Sequence, residues 1–196
     1  MKKRDFLGVI FFGSLWGCAE AVLGGIFYAH QVPYGSVLLG LVAFALLSWA
    51  RVRYPQAGTS TMMGTVAMLY KFANQPFFAC HLLAIFLIGA SYDLVFSLKF
   101  KRGPQAVAAT YLGRLLFALT ITYVFRYHYW VEAGFARIAH YVGVSGSLMA
   151  LANLVAVPLW YRWAEGRKGR GVLLFRPSWT AGAIALLWTV ALFIRI

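Results

Sequence analysis

Phe6-Leu-Gly-Val-Ile-Phe-Phe-Gly13-Ser-Leu-Trp-Gly17-Cys-Ala-Glu20-Ala21-Val-Leu-Gly24-Gly25-Ile-Phe27 is an apolar run carrying a single charge. It is long enough to cross a hydrocarbon core, which takes about 20 residues of helix. At about 100° per residue, Gly13, Gly17, Glu20 and Gly24 share one narrow wedge of the helix surface. Small residues at that spacing let a second backbone approach closely, the usual packing device of helices in lipid. An ionisable group on the same face is costly there and marks a candidate functional site.

The rest of the chain has the same character. Of its 196 residues 62% are hydrophobic and 12% charged, with a mean hydropathy of +0.73. Soluble domains carry about a quarter charged residues, so the composition specifies an all-α integral membrane protein. Further apolar runs cover Pro33 to Ala50, Ser60 to Phe72, Phe77 to Leu98, Gln105 to Phe125, His140 to Trp160 and Ser178 to Ile194. With the first, from Phe6 to Tyr28, they predict a bundle of six to seven transmembrane helices forming a single domain over 1–196. The run before Asn74-Gln75-Pro76 is short for a full crossing and reads as tilted, broken or partly re-entrant. The aromatic stretch from Arg126 to Ala139 suits the headgroup region. Continuously apolar runs exclude a transmembrane barrel, whose strands alternate.

The net charge of +13 raises the question of nucleic acid, but the distribution of charge answers it. Lys2, Lys3 and Arg4, then Arg51 and Arg53, then Lys99, Lys101 and Arg102, and finally Arg162, Arg167, Lys168, Arg170 and Arg176 fall on one side of the predicted spans. The excess is a topology signal that places the N-terminus in the cytoplasm, in the cell (inner) membrane, with attraction to anionic lipid second. No nucleic-acid partner is expected. Lys2-Lys3-Arg4 and the box Leu15-Trp16-Gly17-Cys18 have features of a lipoprotein signal. The bulky Trp16 and an apolar run that continues past Cys18 favour a retained span.

Few polar residues lie within the spans. Glu20 and Arg114 fall at depth, where they either pair with each other or hold a charged ligand between them. Asn153 lies at comparable depth. Asp93, near the end of its span and close to Lys99, reads as a solvated, snorkelling carboxylate. His30, His81, His128 and His140 fall on the predicted outer side, with Gln31, Asn74, Gln75 and Cys80 at the same level. His30, Cys80, His81 and His140 are therefore weak candidates for a metal or a metal-containing cofactor, although no established ligand spacing occurs. No cofactor is specified by the sequence. Cys18 and Cys80 read as buried thiols. His140-Tyr-Val-Gly143-Val-Ser145-Gly146 resembles the nucleophile motif of rhomboid proteases. No histidine follows to act as general base, so no complete catalytic constellation exists and no enzyme activity is expected.

With small residues spaced by four in the first helix (Gly13, Gly17 and Ala21), the bundle from residue 6 to about 161 resembles a substrate-binding S component of energy-coupling-factor (ECF) vitamin transporters, or a standalone relative. The chain uses Gly where that family favours Ala and adds a helix at Ser178 to Ile194. The resemblance implies that Gly13, Gly17 and Ala21 dock on a transmembrane T component, with ATPase subunits supplying energy. It also implies that a vitamin-like or metal-containing small molecule enters from the outer face for uptake. Candidate ligand contacts are Glu20, His30, Asn74, Gln75, His81, Arg114 and Asn153, with Trp16, Tyr70 and Trp130 covering apolar ligand surface. Two other classes stay open: a structural or assembly subunit, and a histidine-ligated cofactor or redox protein.

Overall fold

The computed structural model describes residues 3–73, 79–98, 100–167 and 177–193. Among them are helices α1 (Lys3–Ala29), α2 (Gly35–Arg53), α3 (Thr59–Leu69), α4 (Ala79–Phe96), α5 (Arg102–Leu119), α6 (His128–Ala139), α7 (Gly146–Glu165) and α8 (Pro177–Phe193). No strand occurs among the described residues. A 3₁₀ turn, Tyr70–Ala73, extends α3, and wide π-type turns at Thr120–Val124 and His140–Ser145 extend α5 and lead into α7.

Five helical stretches are long and apolar enough to cross a membrane: Asp5–Ala29, Gly35–Arg53, Ala79–Phe96, Arg102–Val124 and His128–Glu165. The chain is thus a multi-pass membrane protein, helical throughout the spans among its described residues. The two other expected spans are shorter. α3 has 11 residues before its backbone tightens into the 3₁₀ turn, and the apolar part of α8 is Trp179–Phe193. The stretch expected to lie in the headgroup region is helical and mostly exposed. It is broken at Gly134, whose φ of 56° and ψ of −146° suit a residue without a Cβ.

α1, α3, α4, α5, α7 and α2 pack each against the next, and α2 closes back onto α1, forming a six-membered ring. α8 lies outside the ring, along α1. The ring has two unlike halves. Toward the end where α1 begins, Phe44, Leu47, Met63, Tyr92, Phe96, Val157 and Tyr161 fill the interior. Tyr92 stacks on Phe96 at 3.9 Å between ring centroids, and its hydroxyl lies 2.9 Å from Ser48 Oγ. Toward the end where α1 finishes, the ring is hollow.

Glycines set the closest approaches. Val66 and Met63 of α3 lie against Gly13, and the Tyr70 ring lies against Gly17, so that a Cβ at Gly17 would stand 2.5 Å from the ring. Ala21 is buried in a cluster with Cys18, Tyr70 and Ala191 of α8. The ladder therefore packs within the bundle, against α3 and α8. Pro158, inside α7, cannot donate to the Leu154 carbonyl. That oxygen faces Gly103, where a Cβ would come within 3.0 Å of it.

At the filled end, Asp93 departs from the reading of a solvated carboxylate. It is buried and paired with Arg51, itself buried. Asp93 Oδ2 accepts hydrogen bonds from Thr61 N at 2.7 Å and Thr61 Oγ1 at 2.8 Å. Thr61 lies in the first turn of α3, whose N-cap Gly58 has no side chain to satisfy these donors. A carboxylate from α4 therefore caps α3 across the helix interface, where negative charge is favoured.

Candidate functional site in the hollow half of the bundle

The hollow half encloses a cavity of about 730 Å³. α1 lines it with Glu20, Gly24 and Phe27, α2 with Leu39 and Phe44, and the 3₁₀ turn with Lys71. α4 contributes His81, Ile85 and Ile88, α5 contributes Thr110, Arg114 and Phe117, and the turn before α7 contributes Tyr141. The segment joining α1 to α2 runs along the cavity at Gln31 and Val32. Left-handed backbone at Gln31 and Tyr34, with φ of 49° and 56°, reverses the chain there. An apolar body with a few converging polar groups is the usual make-up of a small-molecule site.

The ladder explains how Lys71 reaches this wall. With Tyr70 seated on Gly17, the next side chain runs toward Gly24, where a Cβ would be 3.1 Å from Lys71 Nζ. Nζ donates to the Glu20 main-chain carbonyl at 2.7 Å and lies 3.8 Å from Glu20 Oε2. Trp16 Nε1 donates to Glu20 Oε1 at 3.3 Å. Glu20 and Lys71 are both buried, so each charge is offset by the other.

Of the two arrangements expected for Glu20 and Arg114, the direct pair is not formed: the partner of Glu20 is Lys71. Arg114 is 5% exposed. Its Nη1 donates to the Tyr141 carbonyl at 3.2 Å, and its Nη2 reaches the weak acceptor Met149 Sδ at 3.6 Å. Its guanidinium carbon lies 4.7 Å from the Tyr141 ring centroid. Nε has no hydrogen-bond partner among the described residues. Phe117, Trp130 and Tyr141 pack edge-on and tilted around one another behind the guanidinium.

The other expected contacts divide. His81 lines the cavity and is exposed, at its mouth. His30 is exposed on the α1–α2 segment and does not line it. Asn153 is buried behind the wall, where its Nδ2 donates to Thr110 Oγ1 at 3.2 Å. Asn74 and Gln75 lie outside the described residues. Trp16, Tyr70 and Trp130 do not line the cavity, and Phe27, Phe44, Phe117 and Tyr141 supply its aromatic surface. His30, Cys80, His81 and His140 are not gathered into a metal-binding group: no three His, Cys, Asp or Glu side chains meet that way among the described residues. His128 instead lies 3.2 Å from Glu132, one helical turn on. Ser145 is buried at the head of α7.

Sequence reasoning passed over Lys71, Thr110 and Tyr141. Lys71 had a usable signal, since a lone lysine at the end of a short apolar run must find either water or a carboxylate at the same level.

The chain matches no family model, no curated protein and no solved structure.

Proposed function

We propose that this chain is a substrate-binding membrane subunit of the S-component kind, taking up a small molecule from the outer face of the cell membrane. The observation that carries the reading is the cavity of about 730 Å³, with Glu20, Lys71, His81 and Arg114 on its wall. A chain that only packed helices would gain nothing from burying ionisable groups around a void, because each is costly in hydrocarbon. In this reading the basic side is cytoplasmic, so the cavity faces outward. α3 with its 3₁₀ turn, together with α8, completes seven crossings. T-component and ATPase partners, if coupled, would dock on a surface other than Gly13, Gly17 and Ala21, which α3 and α8 cover.

Native mass spectrometry of the protein in mild detergent tests the proposal. Wild type is expected to retain a small molecule. Ala84→Trp, which places an indole into the cavity from α4, is expected to lower its occupancy about tenfold, equivalent to about 1.4 kcal/mol. An empty wild-type protein, or equal occupancy in the filled variant, would overturn it.

A further inference from the structure

We infer that the cavity takes an oxyanion, a carboxylate or a phosphate monoester or diester on an apolar body, with Arg114 as the residue that holds it; this rests on the binding function proposed above. The argument is one of charge balance. On the cavity wall Glu20 and Lys71 offset each other. Arg114 keeps its charge when buried, because a guanidinium does not lose its proton in proteins. Its acceptors are one carbonyl and one thioether, and no carboxylate pairs with it among the described residues.

A buried, unpaired guanidinium is costly, and breaking a buried ion pair by removing the carboxylate is strongly destabilising for that reason. Here the missing negative group has a place to come from. Arg114 lines an open cavity, while its Nε, itself shut off from solvent, has no partner among the described residues. The guanidinium fork matches an oxyanion in geometry and in charge. The remaining wall, Phe27, Leu39, Phe44, Ile85 and Phe117, suits an apolar body of aromatic or acyl type. Glu20 faces the same space already paired with Lys71, so the oxyanion binds at Arg114 and not through Glu20.

Matched probes decide the matter: 4-phenylbutyrate with 4-phenylbutyramide, and octanoate with octanamide, read by thermal shift of the full chain in dodecylmaltoside. The carboxylates are expected to raise Tm and the amides are not. Arg114→Gln is expected to weaken carboxylate binding about tenfold or more, the usual loss for a hydrogen bond to a charged group. Equal shifts from acid and amide would overturn the inference, as would no shift from any probe or an acid preference that survives Arg114→Gln. A ligand retained in native mass spectra would leave the binding function standing in each case. If Arg114→Gln does not fold, the wild-type acid–amide comparison and Arg114→Lys, which keeps the charge and should keep the preference, still decide. Nanodiscs separate the sources of the oxyanion. Carboxylate shifts that persist in phosphatidylcholine assign it to a free acid. A shift produced by phosphatidylglycerol alone, and lost in Arg114→Gln, assigns it to a lipid phosphate.

Discussion

Replacing Gly89 by alanine is expected to destabilise the bundle by about 3 kcal/mol, at the upper end of what overpacking a core costs. α3 and α4 cross at this point with nothing but backbone between them. A Cβ on Gly89 would stand 2.5 Å from the Ser60 carbonyl oxygen and 3.2 Å from the Gly64 Cα. Both obstacles belong to the main chain of α3, so no rotamer change can clear them. The helices must separate instead, and separation would weaken the Asp93 hydrogen bonds to Thr61, which bind the same two helices. Small residues are used this way because association in lipid depends on close packing more than on burial from water. Gly40→Ala tests the contrast, since a Cβ there meets only the flexible end of Met149. Gly182→Ala is the control, because a Cβ on Gly182 has nothing within 4 Å. It should be neutral or slightly stabilising through helix propensity, which favours Ala over Gly by about 1 kcal/mol. Thermal unfolding of the three variants in one detergent ranks them. Equal midpoints for Gly89→Ala and Gly182→Ala would refute the close-crossing account.

Five of the expected spans and the spacing of the ladder could be read from the sequence because each depends on local pattern. The i, i+4 spacing of Gly13 and Gly17 fixes a common face whatever the rest of the chain does. What that face meets was not readable, because it depends on a helix some 50 residues onward, and on where α3 stops. The 3₁₀ turn after Leu69 is the decisive detail. It aims Tyr70 at Gly17 and Lys71 at Gly24, which makes the lysine at the end of a short apolar run the partner of Glu20. Arg114 was legible as a buried charge from its position in the fifth run, but its surroundings were not. Tyr141 reaches it from a turn between α6 and α7 that hydropathy alone marks only as the start of a span. The histidines misled in the opposite direction. The sequence put them at one expected level, yet a common depth says nothing about common azimuth around a ring of helices.

Asp93→Ala carries the other large expected effect, a loss of about 3–5 kcal/mol, the range for stranding one member of a buried ion pair. Two deficits combine. Arg51 keeps a buried charge with only the Gln56 carbonyl at 3.0 Å and Ser97 Oγ at 3.4 Å as acceptors. The first turn of α3 loses the carboxylate that accepts from Thr61 N and Oγ1, and a lost cap costs about 1 kcal/mol by itself. The two can be separated. Arg51→Met combined with Asp93→Ala removes the stranded charge and leaves only the missing cap, so the double variant should be more stable than Asp93→Ala alone. Asp93→Asn retains an acceptor for Thr61 while removing the charge, and should fall between wild type and Asp93→Ala. If Asp93 were a solvated carboxylate at the membrane surface, all of these variants would unfold within about 1 kcal/mol of wild type, as exposed pairs do. A double-mutant cycle on thermal midpoints distinguishes the two outcomes, because residues in contact couple and separated ones add. The result bears on the site as well, since this end of the ring is the filled one. The cavity at the other end keeps its shape only as long as α3 stays anchored between α1 and α4, where its C-terminal turn holds Lys71 against Glu20.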